Sequence, residues 1–344
     1  MSLDLSIDAF QPRSELITEE HLVPRPRFTV IDAHNHLRLD GDQAAAGLEE
    51  MAAVLDQVDV EAIVNLSGGT GDDLRRRLDL VEQVCPGRVI TFCNVNWPGV
   101  GEPGWVDRAT AQLRDDVQAG ARGLKVFKRL GLQWRDIDGN LIMPDDARIA
   151  DVWDQAGELG VPVLIHSADP VAFFRPLDRF NERWDELHRH PDWHFHGANF
   201  PSFEELIDAL YRTIGAHPDT AFITAHVGCY PENLRFVSQM LDSYPNMYTD
   251  ISARFAELGR VPYSARQWFI DYADRIVYGT DVSPSVAMYQ NTFRFLETRD
   301  EYFDYDVDAE IPPQGRWKIY GVGLPDDVLG QVYRANAARL LNID

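Results

Sequence analysis

Short apolar runs rich in Val, Ile and Leu alternate along the chain with longer segments whose apolar residues recur at helical spacing. The runs fall at 29–33, 60–66 (VEAIVNL), 88–95 (RVITFCNV), 121–127 (ARGLKVF), 161–166 (VPVLIH), 219–226 (DTAFITAH), 246–251 (NMYTDI) and 275–280 (RIVYGT). Near-continuous apolar runs of this kind belong to parallel strands buried on both faces. Between them, Leu48, Met51, Ala52 and Leu55, and again Leu234, Val237, Met240 and Leu241, mark the buried stripe of a helix. Eight strand–helix units close naturally into a barrel, with 327–341 (DVLGQVYRANAARLL) as the last helix. An open doubly wound sheet is the rival, but the first run lacks the glycine-rich turn of a dinucleotide fold. The expected fold is therefore α/β, a (β/α)8 TIM barrel forming a single domain over 29–344. An irregular N-terminal arm over 1–28, carrying Pro12, Pro24 and Pro26, precedes it.

Two stretches break the alternation. Residues 167–200, after the fifth run, and 282–326, after the eighth, are long and rich in aromatics, proline and charge. Both follow the C-terminal ends of strands, the active face of this architecture. They are expected to be insertions that act as lids over a pocket rather than separate domains.

Composition narrows the partners. A chain of 344 residues that is 45% hydrophobic has ample material for one large core, and its formal charge of −23 argues against nucleic acid or an anionic membrane. No apolar stretch reaches the roughly 18 residues needed to span a bilayer, and the first residues lack a signal peptide's pattern. A cytoplasmic protein acting on a small molecule is expected, with homo-oligomerisation possible but specified by no residue. Cys85, Cys93 and Cys229 match neither a zinc spacing nor a disulfide framework and are expected to be buried thiols.

The candidate chemistry sits where the apolar runs end. In IDAHNH, His34 and His36 stand two apart on a strand and so share a side, with Asn35 expected to face the surrounding helices. Two imidazoles so spaced can reach one ion. His166 ends the fifth run, His226 the sixth, and Asp281 follows the eighth in VYGTD; a closed barrel brings all of these to one axial point. Arg254, just past the seventh run, is placed either to clamp a substrate carboxylate or to pair with an acid such as Glu257. Phe173, Phe174 and Trp193 offer an aromatic pocket wall. His188, His190, His194 and His196 alternate with bulky residues, a pattern that favours lid packing over a second metal centre. Lys128 is expected to be a solvated surface lysine, and Gly228 to permit a close backbone approach.

Taken together, IDAHNH, GLKVF, VLIHSAD, FITAHVG and VYGTDVSP resemble the amidohydrolase superfamily, in particular its metal-dependent TIM-barrel branch that includes aminocarboxymuconate-semialdehyde decarboxylase. The resemblance covers about residues 29–341 in order of elements. It implies that His34, His36, His166 and Asp281 ligate a divalent metal, with His226 either ligating a second ion or acting as a catalytic histidine. It implies further that Asp281 accepts and returns the proton of the attacking water. Lys125, in GLKVF, would be either a carboxylated bridge between two ions or a charge beside the substrate. A bare ammonium next to a dication is repelled, so Lys125 must be modified, deprotonated or turned away. One ion is expected rather than two; Zn2+ suits the donor set best, with Mn2+ and Fe2+ as alternatives.

The implied activity is a metal-dependent hydrolase that cleaves an amide, lactone or ester bond of a small carboxylated substrate. The same site suits a second reading, non-oxidative decarboxylation of an unsaturated or aromatic acid. A third is a barrel that binds metal without catalysis; structural sites are closed by protein ligands, whereas catalytic ones keep a position open.

Overall fold

The computed structural model describes residues 4–168 and 170–343; Met1 to Leu3 of the expected arm, Asp169 of the first insertion and Asp344 of the expected barrel lie outside the described residues. Eight parallel strands follow one another around the sheet: β1 (Val30–Asn35), β2 (Val60–Asn65), β3, β4 (Leu124–Val126), β5 (Val163–Ile165), β6 (Phe222–Thr224), β7 (Met247–Asp250) and β8 (Ile276–Val277). Strand β3 is interrupted at Phe92. Its first part, Val89–Thr91, pairs with β2, and its second, Cys93–Asn94, pairs with β4. Phe92 N donates to Asn65 O at 2.9 Å and Cys93 N to Gly123 O at 2.9 Å, so the strand changes partner within one residue. The circle closes between the last strand and the first, where Ala33 N donates to Tyr278 O (2.9 Å) and Asp281 N to His34 O (2.8 Å).

The strand residues are apolar on both sides because both sides are covered. Ile31, Ala33, Val64, Phe92, Leu164, Ile223 and Val277 form one buried cluster with Ala337, Leu340 and Leu341 of the C-terminal helix. The alternate residues, among them Val30, Ile63, Val163 and Phe222, pack with the helices in a second cluster. That outer layer is made by α1 (Ala44–Gln57), α2 (Gly71–Val84), α3 (Trp105–Ala119), α4 (Ala150–Glu158), α5 (Phe203–Ala216), α6 (Leu234–Ser243) and α7 (Pro262–Asp271). After β8 comes an extra helix, α8 (Val286–Glu297), within the second insertion. The last helix runs as Asp326–Gly330 and Asn336–Leu341 joined by a π-helical stretch, Gln331–Ala335.

The N-terminal arm holds no strand among its described residues. It lies along the segment after β8, where His21 N donates to Asp300 Oδ2 (2.8 Å) and Arg27 N to Glu297 Oε1 (3.1 Å), and Phe10 O accepts from Arg316. One expectation near β1 is corrected. Asn35 does not face the helices: its amide donates to Val282 O (2.7 Å) and Thr280 Oγ1 (3.3 Å), fastening β1 to the end of β8. Asp32, two residues before His34, is structural as well. It accepts from Thr280 Oγ1 (2.6 Å), Thr280 N (3.0 Å) and Tyr289 OH (2.9 Å), and burial pushes its carboxyl up to about 6 against these donors.

Candidate metal centre and pocket

Four of the strand-end residues meet at the C-terminal mouth. His34 and His36 present Nε2 at 3.8 and 3.6 Å from Asp281 Oδ1, and His226 presents Nε2 at 3.8 Å from Asp281 Oδ2. The fourth imidazole, His166, lies edge-on to His226 with ring centroids 4.4 Å apart. Lys125 is fully buried on β4, its Nζ 3.4 Å from His34 Nε2. All six side chains named from the sequence as metal ligands are thus gathered at one point. Gly279 permits the approach of β8, since a Cβ there would lie 2.9 Å from His34 Cβ.

The donor set suits a divalent ion. Each of three imidazoles spends Nδ1 on a neighbour: His34 on Asp250 Oδ2 (2.7 Å), His36 on Ser67 Oγ (2.8 Å) and His226 on Ser252 O (2.9 Å). That leaves their Nε2 lone pairs turned toward Asp281, and neutral imidazole with carboxylate is zinc-like ligation. Burial, then the charge of Lys125, holds His34 well below its ordinary value and lowers His36 to about 3; burial, then His166, holds His226 well below. All three are therefore neutral at pH 7 and able to ligate. Burial also raises Asp281 to about 7, opposed by Lys125, and lowers Lys125 to about 8, opposed by Asp281.

Asp250, seen in the sequence only as the end of a strand, is the centre of the layer beneath. Besides His34, it accepts from His226 N (2.9 Å), Ser252 N (3.0 Å) and Ser252 Oγ (2.6 Å) through Oδ1. Carboxylates behind ligating histidines fix tautomer and ring orientation, and losing them costs about 10–100-fold in metal affinity. Asp250→Asn is expected to weaken binding of a divalent metal by about that factor, measured by competition with a chromophoric chelator, while melting within a few degrees of wild type. The available signal was an acid closing a largely buried strand.

His226 is aimed by an unusual turn. His226, Val227, Gly228 and Cys229 all have positive φ (58°, 58°, 68° and 58°), a left-handed turn that costs roughly 1–2 kcal/mol for each non-glycine residue. It persists because its groups are held: Gly228 N donates to Thr249 Oγ1 (2.8 Å), Gly228 O accepts from Tyr211 OH (2.9 Å), and the Val227 side chain is fully buried. The expected close approach at Gly228 is present, for a Cβ there would lie 2.9 Å from Tyr211 OH.

Above the cluster opens a cavity of about 560 Å3, walled by both insertions. Phe173 and Trp193, stacked 6.2 Å apart, and Pro170 come from the first; Val282, Pro313 and Gln314 come from the second. Arg254 lines it as well. It is not paired with Glu257: among the described residues no carboxylate lies within ion-pair distance of Arg254, and its Nε is buried without a hydrogen bond. Glu257 pairs instead with Arg183. Lys128 also departs from expectation. It is half-buried, with Nζ 5.2 Å from the Trp193 ring and 5.4 Å from that of Phe195, so its ammonium sits in an aromatic cage on the cavity wall. Of the four insertion histidines, His188 stacks on Trp184, His190 on Trp193, and His194 and His196 bond the carbonyls of Arg175 and Phe174. A larger cavity, about 670 Å3, lies between the arm and residues 303–318 and holds none of these groups.

The geometry meets an independent finding: the family model described as amidohydrolase matches residues 31–343. The chain belongs to this amidohydrolase family. Solved structures agree on the barrel. A dihydroxybenzoic acid decarboxylase from a Polaromonas species, with bound manganese and 2-nitroresorcinol, is similar at 15% identity and TM-score 0.56, covering 91% of this chain and 97% of that one. A 2,6-dihydroxybenzoate decarboxylase from Rhizobium is similar at 17% identity and TM-score 0.54, covering 91% and 98%. A putative 2-pyrone-4,6-dicarboxylic acid hydrolase from Pseudomonas putida is similar at 14% and TM-score 0.51, covering 91% and 97%. At these identities the likeness is one of fold. No curated protein sequence matches the chain at a significant level. Among the described residues, no helix is long and apolar enough to cross a membrane.

Proposed function

We propose that this amidohydrolase-family enzyme is a metal-dependent hydrolase of a small carboxylated substrate. His34, His36, His166 and Asp281 hold one divalent ion, zinc suiting the donors best, and His226 stands beside it. The observation that carries the reading is a carboxylate, Asp281, within 4 Å of three neutral imidazole Nε2 atoms at the floor of a partly aromatic cavity. When bound, such an ion acidifies water and polarises a carbonyl. The chain's own residues do the rest. Asp281 takes the proton from the attacking water and delivers it to the leaving group, and His226, its Nδ1–H spent on Ser252 O, keeps its Nε2 lone pair beside them as a ligand or proton acceptor. Arg254 anchors the substrate carboxylate, and Phe173 and Trp193 flank its flat body and exclude water. Lys125, 3.4 Å from His34 Nε2, is carboxylated if two ions are held and otherwise turns toward the substrate.

Arg254 and the aromatic wall favour a second reading, non-oxidative decarboxylation of an aromatic or unsaturated acid, with Asp281 or His226 delivering the proton to carbon. One experiment separates the two. Zinc-, manganese- and iron-loaded protein is incubated with pyrone and other lactone carboxylates and with hydroxybenzoates, following acid release and CO2 release separately. Acid release that disappears on chelation and returns with metal supports hydrolysis, and CO2 release supports decarboxylation. Turnover that survives complete chelation, or metal binding that yields neither product from any substrate class, counts against an enzyme of either kind.

A further inference from the structure

We infer that Glu186 is a specificity-determining residue, fixed in place by Arg183, which selects acids that also carry a hydrogen-bond donor such as an amino group. The inference rests on the acid-binding reading of the same pocket and adds the second group of the substrate. Glu186 lies on the short helix Trp184–Arg189 of the first insertion and lines the cavity that Arg254 also lines. One of its oxygens, Oε2, accepts from Arg183 Nη1 at 2.7 Å; the other takes no hydrogen bond among the described residues.

Arg183 is unusual in being fully buried. Its guanidinium also pairs with Glu257, in the turn after β7, and lies 5.8 Å from the Trp317 ring of the second insertion. Arg316 of that insertion reaches back to Asp185 through Nε and Nη2, at 2.9 and 3.0 Å. Glu186 is therefore held by three parts of the fold at once, and its position on the cavity wall does not depend on a single loop. A carboxylate only accepts hydrogen bonds. With Oε2 committed to Arg183, Oε1 is left to water until an occupant displaces it, and it then needs an N–H or O–H from that occupant. An unanswered acceptor in a closed pocket is costly, so an occupant without a donor is disfavoured. Arg254, with Nε buried and unbonded, takes the acid on the same wall. The pair reads an anion and a donor together.

The test is a binding comparison on metal-loaded protein, using benzoate and the three aminobenzoates as probes and titration calorimetry as readout. In wild type, the best aminobenzoate is expected to bind about tenfold more tightly than benzoate, the gain of one hydrogen bond to a charged acceptor. In Glu186→Gln the amide oxygen stays with Arg183 and the NH2 group faces the cavity. A donor then replaces the acceptor, and the amino preference should vanish or invert while benzoate binds at least as well. Glu186→Asp, which keeps the charge but withdraws the oxygen, should also lose most of the preference, and it serves if the glutamine variant fails to fold. Equal binding of all four acids to wild type, or an amino preference unchanged in the variants, overturns the role of Glu186 and leaves the acid-binding reading standing. Failure of wild type to bind any of the four overturns the acid-binding reading, and this inference with it.

Discussion

Asp281→Asn is expected to lower turnover by about a thousandfold with little change in fold, the range typical of losing a positioned general acid–base group. The substitution suits the site. Asp281 has φ of 55°, and asparagine is one of the few residues that takes this left-handed conformation readily. The backbone hydrogen bond from Asp281 N to His34 O would be kept, so the barrel closure beside the cluster survives. What is lost is the carboxylate between His34, His36 and His226, and with it the proposed ligand and proton acceptor. The other acid on the cavity wall, Glu186, is committed to Arg183 and does not substitute. Steady-state kinetics on a substrate that the lactone and hydroxybenzoate screen identifies, with metal content measured on the same samples, checks the expectation. A variant that keeps its metal but loses turnover assigns Asp281 to proton transfer, and one that loses both assigns it to ligation. Turnover within about tenfold of wild type would remove Asp281 from the chemistry.

The fold was legible because its strands are buried on both faces. Each of the eight apolar runs overlaps a strand, the first of which continues past its run to Asn35, and the runs ending in His166 and His226 stop at those residues because the chain there leaves the barrel. What the pattern did not convey is the break at Phe92. An uninterrupted apolar run, RVITFCNV, gives no sign that its two halves pair with different neighbours. The π-helical stretch at 331–335 was hidden in the same way, since one extra residue in a turn barely disturbs apolar spacing.

At the site, the strand-end histidines and Asp281 stood out because each interrupts an apolar run at the end the barrel shares. Residues acting through neighbours were much harder to see. Asp250 is a lone acid in MYTDIS until the fold sets it 2.7 Å from a histidine 216 positions away. Asp32, two residues before His34 in sequence, turns to Thr280 and Tyr289. Lys128 and Arg183 were illegible for a further reason. A loop cation's surroundings depend on side chains packed from elsewhere in the chain, here Phe195 around one and Glu257 beside the other, and no local periodicity encodes those meetings.

Arg183→Met should have the largest effect on stability, lowering the melting temperature by roughly 5–10 °C. The guanidinium is fully buried between Glu186 and Glu257. Removing one member of a buried ion network leaves its partners charged and unsolvated, a loss of about 3–5 kcal/mol. Glu257 is the more exposed to this, because its Oε2 is already buried without a hydrogen bond. Methionine fills a similar volume, so the loss measures charge rather than a void. Thermal unfolding followed by circular dichroism gives the shift. The companion variant decides its origin: Arg183→Met combined with Glu186→Gln and Glu257→Gln removes the stranded charges and should recover most of the lost stability. If the triple variant melts as low as the single one, the guanidinium matters through its packing against Trp317 and not through its charge. Recovered stability without recovered substrate preference would separate the two roles of the network, since the barrel needs the charges balanced whereas the pocket needs Glu186 itself.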